Sequence, residues 1–291
     1  MKATIEDLDI LQAIQPQQVA TYLQASGWRE SKQISDRASV WVREGNSEQQ
    51  FQLLLPLKRE LEDFPLRMSK VLQTLETAEK RSQLQILKDF TTSSADVIRI
   101  RLNHPNLKQG SIPIQDGIHF FERAKDMMMS AACSTVEPKG YFDAQKPKQA
   151  IQYIEKLRLG QTEQVGYTIT LISPINIIHA SSLSQDFFER QVIKTLAYSI
   201  EFISKLAEKI KNVDELKNLL ELVHKGVSAN MCEALVGMDK SGKKTGLEIS
   251  FNWSPMLTAP ENAPRTIFLS PEKMPFIENM GKKLKQKLSE D

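Results

Sequence analysis

Residues 110–136, GSIPIQDGIHFFERAKDMMMSAACSTV, leave this chain few ways to fold. From Asp116 onward the stretch carries apolar groups on nearly every side. Ile118, Phe121, Met128 and Ala132 make one stripe; Phe120, Ala124, Met127 and Ala131 make another. A surface helix shows one such stripe, whereas a helix apolar over most of its circumference belongs inside. The spacing therefore predicts a central helix over about 116–135, capped by Asp116, with later helices and a sheet wrapped around it. The three methionines at 127–129 can fill irregular gaps between those elements without dictating their shape.

Ahead of that helix the chain reads as a separate small domain. Pro16 sits where a first helical turn tolerates proline, Val19, Tyr22 and Leu23 share one face, and Gly27 ends the helix. Val40 and Val42 alternate with Ser39, Trp41 and Arg43. A Gly-Asn-Ser turn at 45–47 then leads into an apolar run over 51–55, closed by Pro56. These segments make two or three strands of a meander. Phe64, Met68, Val71, Leu72 and Leu75 follow at helical spacing, and Ser82 can cap a second piece carrying Leu84, Ile86, Leu87 and Phe90.

That order, with Gly27-Trp28 after the first helix and Leu55-Pro56 ending the third strand, resembles the HicA-type toxin scaffold over about residues 15–90. The resemblance implies a small fold similar to double-stranded-RNA-binding domains. It does not bring the family's ribonuclease chemistry. Where the family has Gly-Ser-His opening its second strand, this chain has Ala38-Ser39-Val40; where Pro-x-His follows the third strand, it has Pro56-Leu57-Lys58. No histidine precedes His104. Lys58, Arg59 and Arg67 are the candidate contacts to RNA or DNA, but Glu60, Glu62 and Asp63 are interleaved with them, so a solvated mixed-charge surface competes with that reading. The small domain reads equally as a docking surface for a partner protein.

Beyond residue 95 strands and helices mix. Residues 96–102, 164–173, 247–253 and 266–269 read as strands, the second with the cleanest alternation. Helices are expected from Pro147 to a stop at Gly160, over 185–210 behind a Ser182/Gln185 capping box, from Asp214 through Leu235 to Gly237, and over 272–288. Half-buried strands call for an antiparallel sheet with one polar face. The fold class is thus α+β: a small αβββα domain at 1–94, then a larger domain at 95–291 whose mainly antiparallel sheet is covered on one face by helices.

Charge and cysteine usage bound the function. Across 291 residues, 38 basic and 36 acidic groups leave a net charge of +2, too little to pull the whole molecule toward nucleic acid or anionic lipid. The only cysteines, Cys133 and Cys232, fall in predicted helices and fit buried thiols in a reducing cytoplasm. The first residues lack the apolar run of a signal peptide, and no window approaches the ~18 apolar residues of a membrane span. A cytoplasmic protein without membrane association is expected.

Chemical motifs fail on spacing. GMDKSGKKT, residues 237–245, approaches a phosphate-binding loop, but Lys244 stands where magnesium needs a hydroxyl, and a helix precedes it where a strand should. His119 and Cys133 are about 21 Å apart along one helix, and His224 and Cys232 about 12 Å along another, by the helical rise per residue. Neither pair can share a proton. Only a cross-pair such as Cys133 with His224 stays open. His104, His119, His179 and His224 stand without metal-ligand spacing, so neither metal nor cofactor is expected. A polar sheet face formed by Arg99, Arg101, Thr168, Thr170, Glu248, Ser250 and Asn252 is the candidate surface for a ligand or partner, against a merely solvated face. The C-terminal GKKLKQKL, joined by Lys273, offers phosphate contacts or a solvating terminus. The chain is accordingly expected to be a non-enzymatic binding or adaptor protein, contacting nucleic acid through its small domain and a protein partner through its larger one. The alternative is a hydrolase, a nuclease among them, with a site assembled from distant residues on the polar sheet face or between domains.

Overall fold

The computed structural model describes residues 4–44, 50–103, 111–161, 167–175, 187–210, 213–216, 218–238 and 246–288. The chain divides into two compact units: residues 1–95 with 254–258, and residues 96–253 with 259–291. The turn at 45–47, the segment around His104, the Ser182/Gln185 box, His179 and most of the GMDKSGKKT stretch lie outside the described residues.

In the first unit, α1 (Leu8–Ala13) and α2 (Pro16–Ala25) precede strands β1 (Arg29–Ile34), β2 (Ala38–Glu44) and β3 (Gln50–Pro56), and α3 (Phe64–Glu79) and α4 (Gln83–Thr92) follow. α1 was not anticipated. Asp7 nucleates it by accepting from the Asp9 and Ile10 N–H groups at 2.9 and 3.2 Å. Gly27 leaves α2 with φ +80°, and Ser82 and Gln85 close the reciprocal box that opens α4. The strands pair antiparallel in the order β1-β2-β3. Trp41, Leu53 and Leu55 on one face of this meander pack with Leu23, Phe64, Met68 and Leu72 in a single core. β1 is exposed along its whole length, and its register with β2 shifts between Glu30 and Lys32.

The second unit holds β4 (Ala95–Asn103), α5 (Ile114–Val136), α6 (Lys148–Lys156), β5 (Arg158–Leu159), β6 (Tyr167–Pro174), α7 (Phe188–Lys209), α8 (Leu219–His224), α9 (Ala229–Gly237), β7 (Gly246–Asn252), β8 (Thr266–Leu269) and α10 (Met274–Leu288). Its sheet runs β5-β6-β4-β7-β8, with β5–β6, β4–β7 and β7–β8 antiparallel. Register puts Ile98, Ile100 and Leu102 opposite Phe251, Ile249 and Leu247, and the last two opposite Ile267 and Leu269. This apolar face meets α5, α7, α9 and α10 in one core. The α+β class with helices over an antiparallel sheet is therefore what the chain adopts.

α5 takes the central place. It starts on Pro113 rather than on an Asp116 cap, and Asp116 lies inside its first turn. Its two halves differ. The first is one-sided, with Ile118 48% exposed, whereas Met127 and Met128 and every residue from Ser130 to Ser134 are buried. Two expected helices are shorter than their periodicity. α6 stops at Lys156, and the chain then pairs as β5 before reaching Gly160, whose N–H donates to the Thr170 carbonyl at 2.8 Å. The run from Asp214 to Gly237 breaks into a 3₁₀ turn, α8 and α9. Gly226 adopts φ +82°, and Ser228 caps α9 by accepting from the Met231 N–H. Apolar spacing carried across Lys225-Gly226-Val227-Ser228 hid that stop.

A buried ion pair ties α7 to the sheet. Arg190 Nε lies 3.0 Å from Asp96 Oδ2, with side chains only 6% and 1% exposed. The Arg190 guanidinium also stacks 5.3 Å over the Trp253 ring, and Trp253 stacks on Phe251. Burial pulls the arginine downward from its usual range, and Asp96 opposes that shift. Breaking such a pair from one side strands a charge in the interior. Arg190→Met should lower unfolding stability by about 3–5 kcal/mol in urea denaturation, and adding Asp96→Leu should recover part of the loss. Additive losses in the double variant would show that the two side chains are not coupled.

Candidate functional site

The polar face read from the sequence is only partly assembled. Register sets Arg99 opposite Ser250 and Arg101 opposite Glu248, alternating with the core residues. Arg101 forms an ion pair with Glu248, and Arg99 Nη1 donates to Asn252 Oδ1 at 3.0 Å. These groups form a surface that satisfies itself. Thr168 and Thr170 are not on an open face: they are 4% and 6% exposed. β6 is an interior strand between β5 and β4, and the chain leaving β5 lies so close that a Cβ on Gly160 would stand 2.9 Å from Thr170 Cγ2.

The three candidate basic residues of the first unit are engaged as well. Lys58 pairs with Asp36, and Arg67 with Asp63 one turn earlier at 2.6 Å. Arg59 donates to the Gln12 carbonyl from Nε and Nη2 at 3.1 and 2.7 Å, while its own carbonyl accepts from Gln12 Nε2. A phosphate backbone would have to displace these partners. At the C-terminus, Lys273 pairs with Glu208 at 2.6 Å and reaches Ser204, Lys282 pairs with Glu278, and Lys285 pairs with Glu233.

A site the sequence reading missed lies on α7. Its buried stripe, Val192, Leu196, Ile200 and Ile203, belongs to the core. The opposite stripe, Gln191, Lys194, Thr195, Tyr198, Phe202 and Lys205, lines a groove of about 600 Å³. Ser134 and Thr135 from the end of α5 form one wall, and His224, Lys225 and Gly226 behind α8 form another. Tyr198 is fixed by donating its hydroxyl to the Glu261 carbonyl at 2.5 Å, and Thr135 and Thr195 hydroxyls meet at 2.9 Å. Three lysines against Glu201 give the lining a formal charge of +2, as much as the whole chain nets. Lys205 is paired with Glu201 at 2.8 Å. The Lys194 and Lys225 side chains make no ion pair or hydrogen bond with a described residue. Ser134 Oγ is buried at the groove wall and has no partner among the described residues.

Gly226 lets this wall close. Its φ of +82° is one that side chains avoid, and a Cβ there would lie 2.6 Å from Thr195 Cγ2. Gly226→Ala should cost about 1–2 kcal/mol for the backbone alone, with a further loss that Thr195→Ala relieves. Thermal unfolding of the two single variants and the double variant checks this; equal losses in both backgrounds would contradict the contact.

Among the described residues the thiols and imidazoles do not meet. Cys133 borders a smaller hollow of about 170 Å³ with Arg123, Ser130, Lys146 and Asn230, whereas His224 borders the groove. His119 lies 4.0 Å from Glu122 on its own helix. Burial pushes the Cys133 thiol up to about 11 and the Cys232 thiol up to about 12. Among the described residues no three His, Cys, Asp or Glu side chains are grouped to hold a metal ion. Because both thiols keep their protons more tightly when folded than the ordinary 9.0, their contribution to stability is complete below about pH 9 and is lost as pH rises through the folded values. Urea denaturation from pH 8 to 10.5 should show a steeper stability loss for the wild type than for Cys133→Ala/Cys232→Ala; parallel curves would mean that the thiols ionise in the folded chain.

No family model matches the chain, and no curated protein or solved structure matches it significantly.

Proposed function

We propose that this protein is a non-enzymatic binding protein whose occupant enters the groove between α5, α7 and α8. The observation that carries the reading is the groove of about 600 Å³ itself, where the Lys194 and Lys225 side chains, without a described partner, line the same hollow as Tyr198 and Phe202. The volume falls within the usual range of ligand sites, roughly 300–1,000 Å³. The proposal places the contact on the second unit because Lys58, Arg59 and Arg67 of the first already hold acidic or carbonyl partners.

The test is native mass spectrometry of the chain isolated gently from its own host, beside Lys225→Trp, which fills the groove from an exposed position. A binding protein should carry added mass that the variant loses. Bare chain in both samples, added mass indifferent to the substitution, or conversion of the occupant and release of product would each overturn the reading.

A further inference from the structure

We draw no further inference here: the strongest candidate, the hollow of about 720 Å³ between the 137–147 loop and α8, where Tyr141, Pro147 and the exposed Leu220 leave an apolar surface, is an unpartnered face, and nothing in the structure shows what covers it.

Discussion

The second unit depends on the second half of α5 being enclosed on all sides. A residue run buried around the whole helix cannot be satisfied by a single sheet or one neighbouring helix; it needs several elements at once. α7, α9 and the sheet answer that demand, and α10 packs on α9 to complete the layer. The same enclosure decides where chemistry can occur. Cys133 and Cys232 face this packed interior, so their thiols are held neutral and act as small apolar groups. Side chains of that half regain solvent where α5 ends at Thr135 and Val136.

Much of this was legible in particular residues. The doubled stripe of Phe120, Ala124, Met127 and Ala131 beside Met128 and Ala132 pointed to an interior helix, and those residues are buried. Alternation in Leu247, Ile249 and Phe251 gave both the strand and the face that meets the core. What stayed hidden had physical causes. Ile118 extends the apolar pattern into the exposed half of α5, because periodicity reports polarity and not the supply of neighbours. Thr168 and Thr170 looked solvent-facing by alternation, but an interior strand can bury small hydroxyl-bearing side chains on its second face. Gly226 and Ser228 were stop and start signals lost in an otherwise continuous apolar rhythm.

The groove was the least legible feature for a different reason. Its α7 residues recur at helical spacing, but Gln191, Lys194, Thr195, Tyr198 and Lys205 read as the wet side of an amphipathic helix. Only the arrival of Gly226 and Ser134 from elsewhere in the chain makes that side concave. A single helix cannot announce such a wall, since the contributing segments are separated by tens of residues and meet through packing. Arg101 and Glu248 show the converse: two residues correctly placed on one face whose mutual charge neutralises the surface they make.

The outer strand of the first unit carries its own consequence. β1 presents backbone donors and acceptors along an uncovered margin, which invites another copy to extend the sheet. Arg29, Glu30 and Lys32 stud that margin with charge, and the shifted register between Glu30 and Lys32 interrupts the even spacing an incoming strand would need. A molecule built this way can leave an entire strand bare yet discourage fibre-like stacking along that edge, through six residues that contribute almost nothing to the interior.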